Sequence, residues 1–513
     1  MTKGLFPCLL TGAWLSVSAS GGWGDEIRWG GRSSPNMVSE ARDLPADPGN
    51  ARTLWELKLG THQYSIPTID RGRIYLGIND TGIDRPGYKP SRGGALLCVD
   101  QATGKLIWQL ASPRYFEGVK PPLHFDQWGC GICSGPVVDG DRVYVVGNRG
   151  EILCLDREGQ ANGNDGPFKD ELAYMGITNA PGNELGPSDG DIIWKYNLLK
   201  EVEVSLHDVC GSTLLIEGDL LYACTSNGVD DQHAQVPRSL APSLIVLDKH
   251  TGRLVARDDE KIGQRLPHCL WSSPSAGRVN GKTLIFFGGG DGILYAFQAP
   301  NLSQGSSVQT LKKVWAYDCN PPEYRTRDGK PLPYSNSNKI TADGPSEIIG
   351  TPVFYRGRVY VAIGQSPVYG TGQGCLSCVD AATGAQVWAS TLIERTLATA
   401  AIAEGLVYLP DCTGNLHCFN ADTGERYWMH PLGAQTWGAS AFVADGKVYI
   451  GTEASVFWVL RAGKKMEVLS RTRLQTIPIT PVAADGVLYL PTQNKLATLR
   501  AKAALPVENG QKQ

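Results

Sequence analysis

The sequence predicts an all-β fold: an eight-bladed β-propeller of four-stranded blades, its ring closed by an N-terminal strand that joins the C-terminal blade. Three observations predict it. A glycine turn followed by a short apolar run ending in an aromatic recurs eight times, at Tyr75, Tyr144, Tyr222, Phe286, Tyr360, Tyr408, Tyr449 and Tyr489. The last three are 41 and 40 residues apart, the spacing of one small unit copied and arrayed. A turn of the form Asp-x-x-Thr-Gly-x-x-x-Trp closes several of these units. Finally, an unaccompanied strand, Leu54 to Leu59, precedes the first unit, and the last unit, Thr480 to Leu499, lacks a fourth strand. Pairing the two joins the chain ends within one blade and leaves no long sheet edge open.

Each unit reads as four strands because apolar residues alternate between turn signals. The first strand is a run such as Ser134 to Val138 or Gly350 to Phe354. The second carries the aromatic, and the third is a run such as Ala95 to Val99 or Leu416 to Phe419. The turn after the third strand is the most specific local signal. It holds Asp100, Thr103, Gly104 and Trp108 in one unit, and Asp380, Thr383, Gly384 and Trp388 in another. The carboxylate bonds back to the turn backbone, the threonine adds a hydroxyl, and the glycine accepts a positive φ. The tryptophan opens the fourth strand, fills the gap to the neighbouring sheet and offers its ring N–H to an acceptor there. Asp248, Thr251 and Gly252 keep the turn, but Ala256 stands where the tryptophan would be. The Glu467 to Ser470 run is the weakest fourth strand.

These units resemble the pyrroloquinoline quinone (PQQ) repeat of quinoprotein dehydrogenases and of the assembly factor BamB, over residues 54–500. The resemblance implies two roles. One is a cofactor-free propeller that binds a protein partner or a small-molecule ligand. The other is a PQQ- and Ca2+-dependent alcohol or sugar dehydrogenase, with the quinone on a tryptophan floor beneath a vicinal disulfide and an aspartate polarising the substrate. The chain has no adjacent pair of cysteines. That departure places it with the binding branch, and its long loops set it apart from BamB.

The ends and the composition bound the rest. Residues 1–19 read as a secretory signal peptide, with an apolar stretch from Leu5 to Val17 and the small-x-small pattern of Val17 and Ala19. The mature chain is therefore expected to be extracytoplasmic, in a periplasm. Residues 20–53 read as an irregular leader laid on the ring, and residues 501–513 as a polar tail. No other stretch is long and apolar enough to span a membrane. A net charge of −3 without a basic block gives nucleic acid no footprint. A monomer is expected.

Cys98, Cys154, Cys378 and Cys418 share one third-strand position, which makes them packing thiols. Cys130 and Cys133 have CxxC spacing and are read either as a structural disulfide or as two packed thiols. Asp156, Glu158, Asn162, Asn164 and Asp165 concentrate oxygen ligands on a glycine-turned segment. They read either as a Ca2+ loop or as a solvated turn.

Connections from fourth to first strands and from second to third strands emerge on one face. The long insertions gather there, at residues 79–94, 111–128, 227–243, 318–347 and 365–374, with 157–191 alone on the opposite face. Insertions of such length inside a compact domain usually carry function. The residues just ahead of each first strand should face the central funnel: His62, Tyr64, Trp128, His207, Asp208, His268, Glu347, Arg395, Gln435 and Trp437. Aromatic walls with a few convergent polar groups describe a binding site. His207, Asp208 and His268 would also serve acid–base or metal chemistry if they share a pocket.

Overall fold

The computed structural model describes residues 35–114, 124–302, 307–336 and 339–502. The signal-peptide reading, the first part of the leader and the tail from residue 503 lie outside these residues. Within them stand eight four-stranded antiparallel blades. Blade 1 is Thr68–Asp70, Arg73–Asn79, Gly94–Asp100 and Leu106–Ser112, and blade 2 is Val137–Asp139, Arg142–Val146, Glu151–Asp156 and Ile192–Asn197. Blade 3 is Leu215–Glu217, Leu220–Cys224, Leu244–Asp248 and Leu254–Arg257, and blade 4 is Ser275–Val279, Lys282–Gly288, Ile293–Gln298 and Lys313–Asp318. Blade 5 is Val353–Tyr355, Arg358–Ile363, Cys375–Asp380 and Gln386–Ser390, and blade 6 is Ala401–Ala403, Leu406–Pro410, Asn415–Asn420 and Arg426–Pro431. Blade 7 is Phe442–Ala444, Lys447–Thr452, Val456–Arg461 and Val468–Arg473. Blade 8 takes Val482–Ala484, Val487–Pro491 and Lys495–Arg500 from the C-terminal end, and Arg52–Lys58 from the N-terminal end. Trp55 and Tyr489 both pair with Thr498, so the predicted closure is present.

The signature residues weld each blade to the next. Asp100 Oδ1 accepts from the Thr103 amide at 2.8 Å and its hydroxyl at 2.6 Å. Gly104 has φ 70°, and a Cβ there would lie 2.5 Å from the Trp55 ring of the preceding blade. The glycine is therefore required twice, by its conformation and by the indole on top of it. Trp55, Trp108, Trp194, Trp315, Trp388 and Trp428 each donate the ring N–H to a carbonyl of the following blade. Removing one such tryptophan costs about 3–5 kcal/mol. Two blades lack it and are patched by other chain. Beside Ala256, Gln309–Thr310 forms a fifth strand and Leu311 is buried. This patch belongs to a second insertion between third and fourth strands, residues 299–312, so 157–191 is not alone on its face. Ser470, at the other gap, donates to Ala46 of the leader at 2.7 Å.

First strands are innermost. Their hydroxyls link blade to blade: Thr399 N donates to Ser440 Oγ at 3.0 Å, and Ser440 N to Thr480 Oγ1 at 2.9 Å. The leader enters this interior. Val38–Ser39 runs parallel to Phe442–Ala444, Asn36 bonds both backbone groups of Ile402, and Ser39 Oγ donates to Ala483 O. One segment thus lies against the innermost strands of blades 6, 7 and 8. Cys98, Cys154, Cys378 and Cys418 are buried thiols, as their shared strand position predicts.

Candidate functional site

On the upper face, which carries the fourth-to-first and second-to-third connections, three extended segments lie side by side. Residues 226–229 leave blade 3 after its second strand. They bridge Leu206 through Asn227 on one flank, and Cys269 through Gly228 on the other. Gly228 N donates to Ser205 O at 2.8 Å, and Val229 N to His268 O at 2.9 Å. The lead-in to blade 3 is thereby clamped next to the lead-in to blade 4, and His207 meets His268. Gly228 permits the approach, because a Cβ there would lie 2.8 Å from His207 Cβ and 3.0 Å from Cys269 Sγ.

The loop that continues from this segment brings in His233. Its Nε2 lies 3.1 Å from His207 Nε2. Ring centroids are 4.6 Å apart for His207 and His233, 4.8 Å for His207 and His268, and 5.3 Å for His233 and His268. His124 stands outside them, 5.2 Å from His233. Asp208 turns toward the same point, its carboxylate oxygens 3.6 Å from His207 Nε2 and 3.7 Å from His268 Nε2. The Tyr369 hydroxyl holds His268 Nε2 at 2.8 Å. Asp126 ties the next loop on, its amide donating to Asp208 O at 2.5 Å.

Burial sets the protonation of this cluster. It lowers His207 to about 4, helped by repulsion from His233 and His124. His268 is held well below the ordinary histidine value by burial and by the three other imidazoles. Burial alone pushes the Asp208 carboxyl up to about 7. Neutral imidazoles with free lone pairs are nucleophile-activating, proton-accepting or metal-ligating groups.

A second polar group adjoins the first. Glu347 is fully buried, and burial together with Asp208 raises its carboxyl well above the usual range, against the pull of Arg395. Arg395 donates Nη2 to Thr341 O at 3.0 Å and Nε to Ser346 Oγ at 3.2 Å. Four buried atoms here have no hydrogen-bond partner among the described residues: His268 Nδ1, Glu347 Oε1, Gln365 Oε1 and Arg395 Nη1.

The remaining funnel residues meet other partners. His62 stacks on Tyr64, whose hydroxyl accepts from Gln493 at 2.9 Å. Trp128 is 50 % exposed on its loop. Gln435 is exposed, and Trp437 is half-buried with φ 30°. Cys130 and Cys133 are neighbouring free thiols. In the oxygen-rich segment, Asp156 pairs with Arg142 at 2.6 Å and Glu158 with Arg73. Asn162 donates to Asp165, and Asn164 to Glu171. These side chains hold one another and their arginines.

His233, Tyr369, Gln365 and His124 are the site residues that the lead-in pattern does not reveal. They sit on the insertions rather than ahead of a first strand. The available signal was a histidine or tyrosine within a long insertion on the face already marked by His207 and His268.

The family profile described as outer membrane protein assembly factor BamB matches residues 45–162 and 372–504, a little under half of the chain. BamB from Moraxella catarrhalis superposes with a TM-score of 0.52 at 14% identity, covering 88% of this chain and 98% of that one. A europium-containing methanol dehydrogenase superposes with a TM-score of 0.55 at 14% identity, covering 90% and 88%. No curated protein matches the chain. The chain has the eight-bladed fold of the PQQ-repeat β-propellers, and its first and last blades carry the profile match. The unmatched interval, residues 163–371, holds His207, Asp208, His233, His268, Glu347 and Tyr369. Among the described residues no helix is long and apolar enough to cross a membrane.

Proposed function

We propose that this protein is an exported propeller that binds a small polar ligand at the mouth of its ring, between the lead-ins to blades 3, 4, 5 and 6. The observation that carries this reading is the set of unpartnered buried atoms on His268, Glu347, Gln365 and Arg395 beside the uncompensated Asp208. Buried polar groups are almost always hydrogen-bonded, and a cluster of exceptions calls for a polar occupant. A protein partner laid across the face would not reach atoms this deep, so a small molecule or ion fits better than a scaffold role.

The alternative, a PQQ- and Ca2+-dependent dehydrogenase, has less behind it. A flat polyanionic quinone needs an aromatic floor and cations. Here Trp128 is exposed, and beside Arg395, which among the described residues keeps only Nη1 free, the mouth carries the carboxyl groups of Asp208 and Glu347. Those carboxyl groups weigh against a polyanionic cofactor.

The test is a thermal-shift panel of sugars, polyols, carboxylates and phosphate. A ligand present at about 100 times its Kd stabilises by roughly 2.7 kcal/mol, a shift of a few degrees. We expect at least one class to raise the midpoint of the wild type and to lose that effect in the Asp208→Asn, Glu347→Gln double variant. No response to any class, with a protein instead retained from envelope extract, would return the molecule to the scaffold reading. A quinone absorbance band and dye reduction with alcohols after adding PQQ and Ca2+ would return it to the dehydrogenases.

A further inference from the structure

We infer that His207, His233 and His268 are the protein ligands of one divalent transition-metal ion of the Zn2+ and Co2+ class, with a coordination position left for an outside ligand. This rests on the reading of the mouth as a small-ligand site and names the first component of what sits there. The coordinating atoms of the three side chains lie within 4.8 Å of one another. The 3.1 Å between the His207 and His233 nitrogens is close to the roughly 3.3 Å that separates two ligands of a tetrahedral ion with Zn–N bonds of about 2.0–2.1 Å. Three histidines and an open fourth position are a donor set of catalytic zinc sites. Nitrogen donors select zinc, cobalt, nickel, copper or iron over the hard cations calcium and magnesium.

The backbone is arranged around this point. Successive side chains of an extended segment face opposite ways. Asp208 departs from that rule, with a left-handed φ of 53°. Its carboxylate therefore faces the same imidazoles as His207, near enough to balance part of a dication's charge and too far to hydrogen-bond to either ring. The Tyr369 hydroxyl takes Nε2 of His268, which fixes the ring and leaves Nδ1, without a partner among the described residues, as the nitrogen open to the ion. The protein has eight histidines, and four of them, His124 included, stand in this one group. His207 and His268 come from separate lead-ins, and His124 and His233 from separate insertions. No single element brings them together.

The experiment uses the full chain, stripped with a chelator and dialysed. It is titrated with Co2+, followed by visible ligand-field absorption, and with Zn2+, followed by calorimetry. We expect saturation at one ion per chain with the intense bands of a tetrahedral nitrogen site. His207→Ala and His268→Ala should abolish saturable binding. Tyr369→Phe should weaken it by about 10-fold. His250→Ala, outside the group, should leave it unchanged. Where a buried variant fails to fold by circular dichroism, His233→Ala on its half-buried loop gives the same answer. Absence of saturable Co2+ and Zn2+ binding by the wild type, or binding that survives His233→Ala undiminished, overturns the metal site. If metal binding is absent while a polyol or carboxylate still shifts the midpoint, the ion is wrong and the small-ligand site stands. If metal binds but no small polar molecule responds, the ion stands and the wider reading falls.

Discussion

Asp411 and Asp208 each lie beside a buried histidine on the upper face of the ring, one after the second strand of blade 6 and one ahead of blade 3. Asp411 is saturated. Its oxygens accept from the Thr413 amide and hydroxyl at 3.1 and 2.7 Å, from the Asn415 amide at 3.0 Å, and share a proton with His417 Nε2 at 2.8 Å. Burial would raise its pKa, but the bonds from His417, Thr413 and Asn415 outweigh it and hold the carboxyl below its ordinary value. Asp208 is less deeply enclosed, its side chain 16 % exposed against 1 % for Asp411, yet it accepts no hydrogen bond among the described residues and burial raises it to about 7. A carboxylate that the fold satisfies is part of the fold. One that the fold encloses and leaves unsatisfied is kept for something else.

Three substitutions would break or sharpen that contrast. The largest effect belongs to Asp411→Ala, which strands Thr413, Asn415 and His417 around a buried hole. We expect a loss of about 3–5 kcal/mol in chemical denaturation, the cost of breaking a buried pair. A loss below that of an ordinary surface change would mean that Asp411 is no more structural than Asp208. Gly228→Ala comes next. The added methyl meets His207 Cβ and Cys269 Sγ, and overpacking of this sort costs about 1–3 kcal/mol. It should also separate His207 from His268, measurable as a change in the imidazole resonances by NMR. A variant of wild-type stability with unchanged resonances would show that the two lead-ins are held by something other than this close approach.

Asp208→Asn should have the smallest effect on the metal-free protein at neutral pH, within about 1 kcal/mol or stabilising, because it removes a buried charge that no donor compensates. The sharper difference is in pH dependence. A carboxyl raised in the fold binds its proton more tightly in the native than in the unfolded state. Its contribution to stability therefore falls as pH rises from the unfolded value, about 4, toward the folded one. Asp208 and Glu347 act in this direction, with the Asp208 window ending at about 7. Asp411 acts in the other: its contribution is present above its unfolded value and is lost as pH falls through its depressed folded value. Unfolding curves at several pH values should show Asp208→Asn flattening the decline between pH about 4 and about 7, and Asp411→Asn weakening the loss in acid. Parallel curves for both variants would remove the distinction on which the site rests.

Blade number, closure and the inter-blade weld were legible because each rests on residues close together in sequence or repeated along it. The Asp-Thr-Gly turn declares its φ requirement locally, and Trp55, Trp108 and Trp388 declare the gap they fill by recurring at one register. About half of the candidate site was legible for the same reason. His207, Asp208, His268, Glu347 and Arg395 precede first strands and so inherit the funnel position of the repeat. Trp128 and Gln435 share that register, yet they stand exposed, because loop conformation rather than register directs a side chain past the end of a strand. His233 and Tyr369 carry no register at all.

By itself, then, the chain's periodicity determined a ring of eight blades and the face on which chemistry would collect, since short-range turn chemistry and side-chain alternation are properties of neighbouring residues. Only tertiary structure decided that residues 226–229 clamp two lead-ins together, that a left-handed Asp208 aims its carboxylate at the imidazoles, and that His233 and Tyr369 complete the group. Those facts depend on contacts between segments tens to more than a hundred residues apart, and no local pattern encodes such distances.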